Sequence, residues 1–235
     1  MVFLSIIIPT LNEEKYLPIL LESIGKQTYK DYEIIVTDSD SKDKTVAIAR
    51  KFGCRVVKIH NGSPAKGRNA GAKVAKGDLL LFLDADGEFR RANELEVFIR
   101  HFLQRKIGSC SCKHYAITKN PFIKFVNIMQ FLAEYLMQST LPYACGYFIA
   151  CYKWIHIKIG GYDEVLKVSE DVNYVRRAAK LGKFRILSDV EIWTSPRRIE
   201  KEGIKYIFFG VWVFIYNLFH SGFKKTNYDY EFGKF

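Results

Sequence analysis

Residues 79–89 read LLLFLDADGEF: five apolar residues run straight into two aspartates separated by one alanine. An uninterrupted apolar run of this length, bounded by turn residues, is the pattern of a strand buried on both faces. Asp84 and Asp86 stand where the chain begins to turn, and at i and i+2 both carboxylates can reach one hard cation. A divalent ion of that kind keeps several waters and takes its other ligands from substrate phosphates. An ordinary Asp and Gly turn uses the same residue types, so the surroundings of the stretch decide between the two readings.

Upstream, short β-rich runs alternate with amphipathic helical segments. Residues 5–8 read as a buried strand stopped by Pro9. Asn12 is placed to cap a helix in which Leu17, Leu20, Leu21 and Ile24 recur at i, i+3, i+4 and i+7. Strands are expected at 32–37, 55–59 and 79–83, with helices at 43–52 and 65–75. This alternation predicts right-handed βαβ units, a mostly parallel sheet and helices on both faces. Ligands in such folds bind beyond the carboxyl ends of the strands, where PTLNEE, TDSDSKD and DADGE are expected to converge.

The 235 residues carry a formal charge of +11, which points to an anionic partner. No recognised nucleic-acid motif accompanies the basic residues, so a nucleic-acid partner is not expected. The cysteines, Cys54, Cys110, Cys112, Cys145 and Cys151, include no CxxC pair and read as small buried thiols. The amino terminus lacks the basic n-region of a signal peptide and is expected to be the first strand of a cytoplasmic protein.

Beyond residue 105 the alternation fades. Residues 122–138 form a helical pattern with a broad apolar face and a narrow polar stripe of Lys124, Asn127, Gln130, Glu134 and Gln138, expected to be buried on most sides or to lie against lipid. A strand is expected at 146–152 and a helix at 170–181, with Glu170 and Asp171 in its first turn. Residues 204–223 are apolar and aromatic, interrupted by Asn217, His220 and Ser221. They are too polar for a clean membrane crossing and suit an interfacial helix, flanked by Arg197, Arg198, Lys201, Lys224 and Lys225. Packing on the catalytic domain or on a second subunit is the alternative.

In NGSPAKGRNAGAKVAKGD, Lys66, Arg68 and Asn69 stand near the start of a helix, where backbone amides and the dipole favour a phosphate. Arg68 and Asn69 occupy the places where a P-loop needs Lys and Ser or Thr, so that motif is excluded. SIIIPTLNEEKYLPILLESIGKQTYKDYEIIVTDSDSKDKT, AKGRNAGAKVAKGDLLLFLDADGEF and GGYDEVLKVSEDVNYVRRAAKLGK together resemble family-two glycosyltransferases of the GT-A fold, over about residues 3–195. The resemblance implies that Pro9, Asn12 and Glu13 border the nucleotide, that Asp38 contacts base or ribose, and that Arg68 helps hold the diphosphate. It implies that Asp84 and Asp86 are the Asp-X-Asp that binds Mn or Mg, with Asp171 the catalytic base and Glu170 beside it. Ser39 follows Asp38 where the family commonly has Asp or Gly, which leaves uridine, guanosine and thymidine donors open.

The resulting expectation is a membrane-associated, metal-dependent, inverting enzyme that moves a sugar from a nucleoside-diphosphate sugar to an acceptor, lipid-linked in the leading reading. A soluble-acceptor glycan transferase and a non-catalytic sugar-nucleotide-binding module are the alternatives. Arg197 and Arg198 are candidates for clamping a donor or acceptor phosphate. The expected organisation is a catalytic domain over 1–200, with a nucleotide-binding half (1–105) and an acceptor-binding half (106–200), then a helical segment over 201–235 at the cytoplasmic face of the membrane.

Overall fold

Two strands, β1 (Leu4–Thr10) and β4 (Leu79–Leu83), lie side by side in parallel, and every residue of both is buried. The computed structural model describes residues 3–220. Around this pair the strands β2 (Tyr32–Asp38), β3 (Arg55–Lys58), β5 (Gly87–Glu88), β6 (Ser109–Ala116), β7 (Phe148–Tyr152) and β8 (Phe184–Thr194) complete one eight-stranded sheet in the order β3-β2-β1-β4-β7-β6-β8-β5. β3, β2, β1 and β4 pair in parallel, as do β6 and β8; β7 runs antiparallel between β4 and β6, and β5 antiparallel to β8. The architecture is the mostly parallel α/β sheet that the alternating pattern predicts.

Side chains alternate between faces as a pleated strand requires. Ile6, Ile8, Leu79, Leu81 and Leu83 pack against α1 (Leu17–Gly25), α2 (Thr45–Lys51) and α4 (Glu94–Gln104), whereas Ile7, Leu80 and Phe82 face α3 (Pro64–Val74) and α7 (Glu170–Ala179). α3 lies very close to the sheet. A Cβ on Gly71 would sit 2.4 Å from the Ile7 Cγ2, and one on Gly67 2.8 Å from the Pro9 Cβ. Glycine at these positions lets the helix settle beneath the strand ends, which is what carries Arg68 to the middle of the site.

Two expectations about local structure are corrected. Asn12 is not a helix cap: α1 begins at Leu17 after Tyr16, without a side-chain cap. Asn12 instead adopts a left-handed backbone (φ 56°), donates its N–H to the Ser41 Oγ at 2.9 Å and accepts the Lys42 N–H at 2.8 Å. Its short polar side chain tolerates that conformation and ties the loop after β1 to the loop after β2. The second correction concerns α5 (Pro121–Met137), which is not buried on most sides. Phe122, Phe125, Ile128, Met129, Leu132, Tyr135 and Leu136 are exposed, while Glu134 is buried. Apart from the exposed Lys124, the polar stripe faces the protein: Asn127 accepts the Ala116 N–H, Gln130 donates to Glu134, and Gln138 accepts the Ile186 N–H.

The aromatic segment forms α9 (Ile204–Phe219), preceded by the short α8 (Arg197–Glu202). Ser221, Phe223, Lys224 and Lys225 lie outside the described residues. The polar residue that interrupts α9 is the one that docks it: Asn217 is fully buried and donates to the Ser169 Oγ at 2.9 Å, and Arg176 donates to the Asn217 and His220 carbonyls. The opposite side exposes Phe208, Val211, Trp212, Ile215 and Phe219. No helix among the described residues is long and apolar enough to cross a membrane.

Leu81 sits at the centre of β4 with no exposed surface. Leu81→Ala is expected to cost about 2–5 kcal/mol through lost transfer energy and the cavity left behind. A urea titration checks this: the midpoint falls while the m-value is unchanged.

Candidate active site

The ends of β1 and β4, the start of α3, the loop before β7, the start of α7 and the segment after β8 meet around one cavity of about 530 Å³. Pro9, Glu13, Arg68, Asp84, Asp86, Glu170, Asp171, Arg197 and Arg198 all line it. These are nine of the positions singled out from sequence, gathered from segments nearly 190 residues apart. Asn12, Asp38 and Lys66 are not brought to it. Asp38 is buried at the end of β2, accepting the Ser41 N–H, and the Lys66 ammonium donates to the Asn61 carbonyl. The first turn of α3 is capped by its own Ser63, whose Oγ accepts the Lys66 N–H.

Arg68 is only 2% exposed. Its Nη2 lies 2.8 Å from the Asp84 Oδ1 and its Nη1 2.9 Å from the Glu170 Oε1, with the guanidinium 5.1 Å over the Tyr162 ring. Burial works against the charge, but the Asp84 and Glu170 carboxylates outweigh it and hold the group protonated. Arg68 is therefore turned toward the carboxylates, not presented to open cavity. The chain opposite must come very close: a Cβ on Gly146 would sit 2.3 Å from the Arg68 Nη2 and 3.3 Å from the Asp171 Oδ2.

β5 and β8 set the other wall. Gly87 pairs with Thr194, and the Ser195 N–H donates to the Asp86 carbonyl, so the chain leaving β8 passes directly over the two aspartates. Arg197 then forks onto Glu13 at 2.6 and 2.8 Å, with its Nε 3.1 Å from the Asp86 Oδ2. That last contact is electrostatic, since the Nε has no hydrogen-bond partner. Asp86 is raised to about 6, chiefly by burial; Arg197 acts the other way, and Asp84 and Glu13 add to the rise. Arg198 is hydrogen-bonded to Tyr206.

Asp171 sits in the first turn of α7 behind Ser169, whose left-handed backbone (φ 63°) sharply redirects the chain into the helix. Burial, then the neighbouring Glu170, pushes its carboxyl up to about 7, with Arg68 opposing. A carboxylate poised near neutrality in a cavity is suited to taking a proton from a nucleophile.

Asp84 and Asp86 offer hard oxygen ligands at the cavity. Among the described residues there is no group of three or more His, Cys, Asp or Glu that forms a complete protein cage. Two carboxylates fit a cation of the Mg or Mn type that takes its remaining ligands from water and a diphosphate. Asp84 and Glu13 add a smaller part to the rise at Asp86 that burial mainly causes, and a cation between the two aspartates would offset that part.

Sequence reasoning saw the polar stripe of α5 without seeing which way it faces, and it missed Cys145 and Gly146. Gln130 and Cys145 line the cavity, and Glu134 stands behind them, accepting from Gln130 at 3.0 Å. All five cysteines are free, and Cys145 alone of the five is not fully buried.

Residues 5–159 match the family described as Glycosyl transferase family 2. The chain belongs to this family. Over 127 residues it is 36% identical to 4,4'-diaponeurosporenoate glycosyltransferase of Staphylococcus haemolyticus, covering 51% of the chain and 34% of the relative. It is 35% identical over 127 residues to UDP-Glc:alpha-D-GlcNAc-diphosphoundecaprenol beta-1,3-glucosyltransferase WfgD of Escherichia coli, covering 52% of the chain and 50% of the relative. The chain thus spans half or less of the length of these two curated relatives. Among solved structures, S. aureus TarS 1-349 in complex with UDP superposes with a TM-score of 0.69 at 22% identity, covering 82% of this chain and 60% of that one. Mannosyltransferase PcManGT from Pyrobaculum calidifontis, in complex with GDP-Man and Mn2+, gives 0.64 at 22% identity, covering 81% and 56%. These structural likenesses establish a GT-A-like fold for this glycosyl transferase family 2 chain.

Glu134 generates a stability test. Burial raises it from 4.5 to about 8 against the hydrogen bonds from Gln130 and Cys145, with Asp171 adding to the rise, while burial lowers the facing His114 to about 4. A carboxyl raised in the folded state stabilises below its unfolded value and loses that contribution as pH rises through the folded one. The lowered His114 acts in the opposite sense up to about pH 6.5, so melting temperature is expected to fall between about pH 6.5 and 8, and Glu134→Gln to flatten that slope. An unchanged slope in the variant would show that Glu134 is ionised throughout.

Proposed function

We propose that this chain transfers a sugar, with inversion, from a nucleoside-diphosphate sugar to a lipid-linked acceptor at a membrane surface. One observation carries the reading: the cavity holding Arg68, Asp84, Asp86 and Asp171 is walled by apolar side chains of α5 and α9, among them Phe125, Met129, Phe209 and Val213. A cavity with charged groups at the chemistry and an apolar approach matches an amphiphilic acceptor better than a wholly polar glycan. The comparisons support the donor class, since the solved relatives are described as holding UDP and GDP-Man.

In this reading Asp171 takes the proton of the attacking group, and Asp84 and Asp86 hold the cation. Bound there, a divalent ion offsets the charge that develops on the departing diphosphate. Arg197, from the segment after β8, pairs with Glu13 and lies against Asp86, and so fixes the wall beside the two aspartates. Arg68 holds Asp84 and Glu170 in place from below. In-line attack from the acceptor side inverts the anomeric carbon.

The exposed apolar faces of α5 and α9 belong to the same reading. Phe125 and Phe208 are 57% and 67% exposed, with Lys124 and Lys205 beside them. Aromatic and aliphatic side chains flanked by lysine suit the boundary between water and an anionic lipid surface. The inner face of α9 is stitched to the Ser169 loop, so deleting the helix would disturb the site as well as the surface.

Three outcomes are expected. Asp86→Asn removes charge while keeping shape, and donor binding measured by thermal shift is expected to lose its dependence on Mn2+; retained dependence would remove the cation from this site. Asp171→Asn is expected to lower kcat roughly 10²–10⁴-fold, and the wild-type rate to rise with pH through the raised pKa of Asp171, because the ionised form is the base. The double change Phe125→Glu with Phe208→Glu is expected to abolish co-flotation with phosphatidylglycerol-containing vesicles while the melting temperature holds. Wild-type protein that ignores such vesicles would favour a soluble glycan acceptor.

A further inference from the structure

α5 presents its polar residues inward and its apolar residues outward, against the usual preference of a helix on a protein surface. Leaving seven large apolar side chains exposed, two of them, Phe125 and Met129, at the cavity, forfeits much of their burial. From α5 the cavity is lined by Phe125, Val126, Met129 and Ala133 and by the two polar residues Asn127 and Gln130. Gln130 donates through Nε2 to the Glu134 Oε1 at 3.0 Å and to the Cys145 Sγ at 2.9 Å. These bonds fix the direction of the amide and leave its carbonyl oxygen, on a residue lining the cavity, with no protein donor among the described residues. Behind it, the buried Glu134 Oε2 and His114 Nε2 also lack hydrogen-bond partners.

We propose that Gln130 and Cys145, braced by Glu134, form a subsite that holds a neutral, hydroxyl-bearing acceptor head, a sugar or a polyol, and discriminates against a phosphate. This rests on the glycosyltransferase reading and specifies its acceptor.

Charge beside Asp171 decides against an acceptor phosphate, the donor diphosphate being assigned to the cation at Asp84 and Asp86. The lining contains Glu13, Asp84, Asp86, Glu170 and Asp171 against three arginines, and no lysine. Arg68 is committed to Asp84 and Glu170, Arg197 to Glu13 and Asp86, and Arg198 is bonded to Tyr206. Asp171 makes no ion pair among the described residues. A phosphate monoester carries about −1.5 to −2 charges at neutral pH and would meet this carboxylate without a free guanidinium fork. A hydroxyl head meets a carbonyl oxygen that can accept from it and a base that can deprotonate its nucleophile. A phosphate, already ionised, would need neither.

The test uses the full chain with UDP-glucose, UDP-N-acetylglucosamine and GDP-mannose as donor probes and reads release of the nucleoside diphosphate. Octyl glucoside and octyl phosphate, both below their micelle concentrations, serve as acceptor probes. Octyl glucoside is expected to accelerate release at least tenfold over water, and octyl phosphate not to do so. Gln130→Leu is expected to raise the KM for octyl glucoside about tenfold while the donor KM changes less than twofold. Faster release with octyl phosphate than with octyl glucoside overturns the subsite whether or not the variant folds. So does hydrolysis by water that neither probe accelerates, or a Gln130→Leu variant with an unchanged acceptor KM. No release from any donor, with or without acceptor, overturns the glycosyltransferase reading itself, and the subsite falls with it.

Discussion

A guanidinium removed from water needs its charge answered on more than one side, and Arg68 obtains this by joining Asp84, from the end of β4, to Glu170, at the start of α7. The two carboxylates come from parts of the chain 86 residues apart in number, so this one side chain ties α3, the end of β4 and the start of α7 together at the site. Much of the surrounding structure follows from getting it there. Gly67 and Gly71 allow α3 to lie against β1, and Gly146 leaves room for the guanidinium head. Removing either partner would strand a buried charge, which costs far more than the pair itself contributes. Specificity of arrangement, more than net stability, is what the pairing supplies.

The second constraint is the crowding of carboxylates that this geometry creates. Glu13, Asp86 and Asp171 are all raised, each chiefly by burial. Arg197 answers two of them by reaching across from the end of β8, and its stem is positioned by the short antiparallel pairing of β5 with β8. The Asp-X-Asp turn and the arginine that covers it are thus built by the same pair of strands. Asp171 makes no ion pair among the described residues, and burial and then Glu170 raise its carboxyl to about 7, with Arg68 opposing, which suits it to act near neutral pH.

What could be read in the sequence and what could not divides along physical lines. β4 was legible because this strand, buried on both faces, is apolar at every position, and it was placed at 79–83 as found; β1 was read over 5–8 and stopped at Pro9, whereas it runs from Leu4 through Pro9 to Thr10. The convergence of Pro9, Glu13, Asp84 and Asp86 followed from parallel topology, which puts successive strand ends on one edge. Asp38 shares that edge, yet its side chain turns to the Ser41 N–H, a choice made by loop geometry that no spacing reveals. Asn12 misled for a related reason: the residue type suits a helix cap and a left-handed turn equally, and the Ser41 and Lys42 partners lie nearly thirty residues away.

α5 marks the deeper limit. Periodicity shows that a helix has two faces but not which one meets the protein, and the usual rule that apolar faces turn inward is a statement about water as the surrounding medium. Here the inward groups are Asn127, Gln130, Glu134 and Gln138, and each finds a partner that sequence could not supply: a strand-edge N–H on β6, a neighbouring carboxyl, a thiol beside the cavity and an N–H on β8. α9 solves the same problem differently, using the buried Asn217 as its only deep polar anchor and leaving its aromatic side outward. Two helices of opposite internal design therefore expose apolar faces, and both contribute walls to the cavity that contains Asp171. An acceptor matched to this arrangement would carry its apolar part between those walls and its polar part against Gln130, which is the physical content of calling it amphiphilic.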